Sequence, residues 1–150
     1  RIGKVACTFC VVIAAFSLAV TSVVTSFIQP MSSPNRSSID PMINELRKNP
    51  CSGNIFNHYN VGGYLIWKYP EQKVYIDGRM PSWQYKGTKY MDNYLRVLSD
   101  PSFQKSEFQK YNITCAIMPK DSDLAHSLTA AGWSAYTPPQ NDWVLLRLKK

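Results

Sequence analysis

The feature that most constrains this chain is a run of 24 consecutive residues, Val5 to Ile28 (VACTFCVVIAAFSLAVTSVVTSFI), that carries no charged side chain. As a helix rising about 1.5 Å per residue it would reach about 36 Å, enough to cross a hydrocarbon core of about 30 Å. A secretory signal peptide has an apolar region of only about 7–15 residues, so the run reads as a transmembrane helix within residues 1–28. Arg1 and Lys4 flank its start, and no Lys or Arg follows until Arg36. The positive-inside bias then predicts a membrane protein with a single span in this chain and residues 31–150 in an extracytoplasmic domain. Small residues recur at four-residue spacing (Ala6, Cys10, Ala14; Ala15, Ala19; Ser22, Ser26). They would let another helix approach closely, so the expected partners are the lipid bilayer and other transmembrane helices of a parent protein. The chain opens with Arg1 rather than Met, as a processed chain or the tail of a longer one would.

Residues 29–40 (QPMSSPNRSSID) are rich in Ser and Pro and read as a linker. Residues 41–150 are then long enough to bury one core but not two. Of 17 Lys plus Arg in the whole chain, Arg1 and Lys4 precede the apolar run, leaving 15 against 10 acids in the remainder. That excess is spread along the chain, so nucleic acid is not an expected partner.

Within this part the pattern alternates between helix and strand. Asp40-Pro41 opens a short helix, with Asp40 as cap, and Pro50 stops it. A strand is expected over residues 53–59, then Asn60 as the cap of a helix through Lys68. Lys73 to Gly78 reads as a buried parallel strand, residues 89–98 and 101–111 as helices, and Ile113 to Met118 as a third buried strand. A helix capped by Asp121 or Ser122 runs to Gly132, and residues 133–136 and 143–148 form a C-terminal antiparallel hairpin. The expected fold is thus α/β: an N-terminal transmembrane helix, then a three-layer α/β domain with a mostly parallel sheet.

Ligands of such sheets bind beyond the carboxyl ends of the strands. Three of those ends are polar: Asn57-His58-Tyr59-Asn60, Asp77-Gly78-Arg79 and Lys120-Asp121, with Tyr85 and Tyr90 expected nearby. A ligand-binding rim is expected from Asn57, Tyr59, Asn60, Gly62, Gly63, Asp77 and Arg79. Arg79 would offer a planar donor fork, and the helix start at Asn60-Val-Gly-Gly would offer backbone donors, to a sugar or a lipid phosphate. The plainer reading of the same residues is a turn closed by a local Asp77–Arg79 ion pair, with glycines that let a helix pack tightly on its strand. His58 has no His or Cys partner at ligand spacing, so no metal is expected, no cofactor motif occurs, and no catalytic residue is assigned. Cys51 and Cys115 would be bridged in an oxidising compartment or buried as free thiols; the spacing leaves both open. Cys7 and Cys10 read as small apolar residues.

The blocks NIFNHYNVGGYLIWKYP (from Asn54), KVYIDGR (from Lys73), Tyr94-Leu95 and Ile113 to Pro119 carry a likeness. They resemble the C-terminal extracytoplasmic domain of bacterial multi-pass membrane proteins that look like lipid-linked-sugar glycosyltransferases of the glycosyltransferase-C superfamily, including the protein mannosyltransferase-like enzymes. The likeness covers most of residues 41–148; Gly62, Gly63, Tyr64, Trp67, Asp77, Gly78 and Arg79 match its pattern. It implies that Val5–Ile28 is the last of many spans and that the catalytic carboxylate lies upstream, outside this sequence. The expected function is an accessory domain that helps position an acceptor or donor. The alternative is a non-enzymatic anchored interaction or structural domain.

Overall fold

The computed structural model describes residues 36–79 and 83–149. A 3-10 turn, Arg36–Ile39, leads into helix α1, Asp40–Lys48, whose Pro41 sits in the first turn where a missing N–H costs nothing. Ile39, Met42, Ile43 and Leu46 are buried along one face. Asp40 lies inside the helix rather than at its cap, and its Oδ1 accepts from the Tyr64 hydroxyl at 2.6 Å.

Strand β1, Asn54–Asn57, is followed by a 3-10 turn, Tyr59–Val61, and helix α2, Gly62–Lys68. A short antiparallel pair, β2 (Gln84–Tyr85) and β3 (Thr88–Lys89), precedes helices α3, Tyr90–Ser99, and α4, Pro101–Lys110. Asp100 separates those two helices and caps α4, its carboxylate accepting from the N–H groups of Ser102 and Phe103. Then come strand β4, Ile113–Pro119, helix α5, Asp123–Ala130, with Ser122 as its cap, strand β5, Ser134–Tyr136, and strand β6, Trp143–Arg147. Gly132, at a positive φ of 87°, carries the chain out of α5.

The sheet order is β1-β4-β6-β5. β1 runs parallel to β4, while β4–β6 and β5–β6 are antiparallel, with Ala116 opposite Leu146 and Ala135 opposite Leu146 on its other side. The sheet is therefore mixed, and the expectation of a mostly parallel one is corrected. The reason lies at Lys73 to Gly78, expected as a third parallel strand: only Val74 makes an isolated bridge, to Ile55. Beyond that bridge the chain leaves the ladder, and a side chain, described below, takes over its hydrogen bonds. β4, flanked on both sides, is buried almost throughout, as a central strand covered on both faces must be.

One face of the sheet meets α3, α4 and α5 around Phe56, whose ring lies 4.8 Å from that of Tyr75, 5.7 Å from Tyr94 and 5.3 Å from Phe108. The other face buries Ile55, Ile117 and Leu145 against Ile43 and Leu46 of α1 and Leu65 of α2. Cys51 and Cys115 form a disulfide that links the approach to β1 with the middle of β4. It resolves the two readings open in the sequence in favour of the bridge.

The expected transmembrane helix is corrected as well. Crossing a membrane takes about 20 apolar residues, whereas the longest helices among the described residues, α3 and α4, have 10 each. No helix among the described residues is long and apolar enough to cross a membrane. The run Val5–Ile28 itself lies outside the described residues, and the described helices give no support to the single-span membrane location inferred from it.

Candidate functional site

The carboxyl end of β1 is where the expected site residues meet. Asn57 is fully buried, and its side-chain amide behaves as a spare peptide unit. Nδ2 donates to the Ile76 carbonyl at 2.8 Å and to the His58 carbonyl at 3.0 Å, while Oδ1 accepts the Tyr75 N–H at 2.9 Å and the Ile76 N–H at 3.4 Å. Segment 73–78 is pinned to β1 in this way without a continuous ladder. Buried backbone groups need partners, and here one side chain supplies them.

Asp77, on the next turn of the same segment, is 3% exposed. Its Oδ1 accepts from the backbone N–H of Arg79 at 2.9 Å and from Arg79 Nε at 2.8 Å; its Oδ2 accepts from Nη2 at 2.9 Å. This is a two-pronged guanidinium–carboxylate pair on a two-residue loop. The Arg79 hydrogen bonds hold the Asp77 carboxyl below its ordinary range, against the opposing effect of burial. The guanidinium faces outward and sits 5.5 Å from the ring centre of Trp83, a half-exposed side chain.

Tyr59 closes the rim: its hydroxyl donates to the Gly78 carbonyl at 3.3 Å, and its N–H donates to the buried hydroxyl of Tyr94 at 3.2 Å. Gly62 is there because nothing larger fits, since a Cβ would lie 2.0 Å from the Ile76 carbonyl oxygen. Gly63 is exposed, with nothing within 4 Å of a Cβ. The expected cap at Asn60 is corrected. His58 caps the turn instead, its Nδ1 accepting from the exposed Asn60 at 3.2 Å, and burial, partly against Trp143, lowers its pKa. The N–H groups of Asn60, Val61 and Gly62 all donate to His58 or Tyr59. Those backbone donors, expected to face a ligand, are engaged within the turn.

The structure thus brings Asn57, Tyr59, Gly62, Asp77 and Arg79 together, with Asn60 and Gly63 exposed beside them. Lys120 pairs with Asp142 at 3.1 Å instead of joining the group. Tyr90 lines a small cavity with Asn54 and Ile113, at the opposite end of β1. Two contributors escaped the sequence reading: Tyr94, which is read as a core residue by its helical spacing, and Trp83, whose only signal is its place four residues after Arg79. Among the described residues no group of three or more His, Cys, Asp or Glu side chains is placed to hold a metal ion. No family model, curated protein or solved structure matches this chain.

Proposed function

We propose that the domain is a non-catalytic accessory module whose Arg79–Trp83 corner holds a sugar or a lipid-linked phosphate for a glycosyl-transferring partner. The observation that carries this reading is the pairing of an outward guanidinium, oriented by a buried carboxylate, with an exposed indole face. The guanidinium, with Nε and Nη2 held on Asp77, brings a fixed positive charge that suits phosphate oxygens, and a flat aromatic surface suits the apolar face of a sugar ring. The other polar groups of the rim support a binding rather than a chemical role. Asp77 is bonded to Arg79 and held ionised, which makes it a poor proton donor, and the Asn57 amide is occupied by backbone.

Titration of the full chain with a hexose 1-phosphate, with inorganic phosphate and the neutral hexose as controls, tests the reading. Saturable binding of the sugar phosphate that Arg79→Ala and Trp83→Ala each abolish, with the melting temperature of Trp83→Ala unchanged, is the expected result. Binding that is absent, or indifferent to both substitutions, rejects it.

One observation favours a second reading, a non-enzymatic interaction domain. On α2, Trp67 is 70% exposed beside the half-exposed Ile66, with Lys68 Nζ 4.3 Å from the indole centre. Exposed aromatic side chains of this kind are enriched at protein interfaces. Cross-linking from a photoreactive residue at position 67 to a discrete protein, lost on Ile66→Ser, would support it.

A further inference from the structure

On the face of the sheet away from α1 and α2, helices α4 and α5 are separated by a cleft of about 680 Å³ that reaches the start of β4. It lies far in the chain from every residue of the rim, and its lining has a specific chemistry. Phe108, Ile113 and Leu128 make an apolar floor. Two lining side chains are polar and almost buried: Gln104, 9% exposed, and Trp133, 8% exposed.

Among the described residues, neither the Gln104 amide nor the Trp133 indole N–H has a hydrogen-bond partner. Neither is sealed from solvent, because no sealed side-chain N or O atom among the described residues lacks a partner. Both are therefore reachable from outside, and the opening that they share is this cleft. Gln104 also lines a second hollow of about 350 Å³, to which Pro101 and Ser127 contribute as well, so it borders both spaces.

An indole N–H can only donate and a side-chain amide both donates and accepts, so each can exchange water for the polar group of a bound molecule. The buried amides of Asn57 and Asn141, by contrast, donate within the domain. Among the described residues Asp123 lines the second hollow, whereas the lining of the cleft includes Lys105 and no Asp or Glu. Its volume lies within the roughly 300–1,000 Å³ usual for sites that enclose small molecules.

We propose that this cleft is a binding site for a small amphipathic carboxylate, an apolar chain or ring that ends in one carboxylate group. The apolar body lies on Phe108, Ile113 and Leu128. The carboxylate, an acceptor without donors, takes hydrogen bonds from the Gln104 amide or the Trp133 indole, and Lys105 balances its charge. A cationic amphiphile of the same length lacks the acceptor oxygens and meets Lys105 as a like charge.

Equilibrium dialysis of labelled decanoate against the full chain tests this, with decanol and decyltrimethylammonium as competitors. Saturable uptake of one decanoate per chain is expected, displaced by neither competitor at equal concentration. Gln104→Leu, which keeps the side-chain bulk, and Lys105→Gln, at an exposed position, should each weaken it by about tenfold or more, since each removes one charge-assisted contact. The indole N–H resonance that Trp133→Phe removes should shift on addition of decanoate. Uptake that does not saturate, as partition onto the apolar run Val5–Ile28 would produce, overturns the proposal. So does equal displacement by decyltrimethylammonium, or wild-type affinity in both variants at unchanged melting temperature.

Discussion

The side-chain amide of Asn57 and the main chain of Ile76 are bonded in both directions, through Nδ2 to the Ile76 carbonyl at 2.8 Å and through Oδ1 to its N–H at 3.4 Å. Asn57 Oδ1 also takes the Tyr75 N–H at 2.9 Å. One side chain therefore replaces a piece of sheet. Asn57→Leu would keep the volume and leave these peptide groups buried and unpartnered, at about 1–3 kcal/mol for each group stranded. A loss of about 3 kcal/mol or more in urea unfolding is expected, and Asn57→Asp should lose no less, since a buried carboxylate would face the two carbonyl oxygens that Nδ2 serves. Wild-type stability in Asn57→Leu would mean that segment 73–78 is held by other contacts.

The adjacent glycines separate architecture from binding. Gly62→Ala places a methyl 2.0 Å from the Ile76 carbonyl oxygen and 2.9 Å from the Asp77 Cα, so backbone must move. Overpacking of that kind costs about 1–3 kcal/mol or more. Gly63→Ala meets nothing within 4 Å and should stabilise the helix by about 0.5–1 kcal/mol. Thermal melts of the two variants should shift in opposite directions. If Gly63→Ala nevertheless weakens sugar-phosphate binding, Gly63 belongs to the ligand surface.

Acid should unfold the domain through identifiable groups. Asp100 is held down to about 2 by the Ser102 hydroxyl, the Phe103 N–H and further bonds, and Asp77 is lowered chiefly by Arg79. A carboxyl depressed in the folded state adds stability that is complete above its unfolded value near 4 and lost as pH falls through the folded value. His58 is depressed by burial, so its contribution begins to fall earlier, below about 6.5. Asp100→Asn keeps a competent cap and removes the titration. Denaturant midpoints measured from pH 5 to 2 should fall less steeply in this variant; an unchanged slope would show that Asp100 is not a source of the acid limb.

Reduction of the Cys51–Cys115 bridge, which spans a sequence separation of 64, should cost about 4 kcal/mol on the chain-entropy account. Urea unfolding with and without reductant measures it directly. A difference well under 1 kcal/mol would mean that the reduced, unfolded chain already holds these segments together.

How far the sequence foretold this depends on where each signal came from. The proline starts of α1 and α4, the Ser122 cap, the Gly132 stop and the C-terminal hairpin are written in local turn and cap chemistry, and they stand where that chemistry puts them. The direction of β6 between β4 and β5 is set by tertiary pairing and left no local trace. Val74-Tyr75-Ile76 has every local mark of a strand, yet a polar side chain from another segment took its hydrogen bonds, which no reading of that segment alone could reveal. The Asp77–Arg79 pair was legible because two residues suffice to make it. The role of Gly62 was legible only as one of two readings, and the Ile76 carbonyl beside it gives it a packing function. The cleft of Gln104 and Trp133 was invisible, since a glutamine on a helix and a tryptophan before a strand carry no mark of lacking partners.

The Cys51–Cys115 bond also changes what the domain does under a pulling force. Tension applied at the two ends of residues 36–149 would pass through the disulfide and bypass everything between its cysteines: β1, α2, β2, β3, α3, α4 and the first two residues of β4. The stretch between the two cysteines, a sequence separation of 64 worth roughly 220 Å of extended chain at about 3.4 Å per residue, would stay out of the load path until the bond is reduced. Strand β6, paired to β4 beyond the crosslink, would be left to bear the strain with β5 and α5. Stretching single molecules should therefore give a short first extension in oxidising buffer and a second, longer one after a thiol is added.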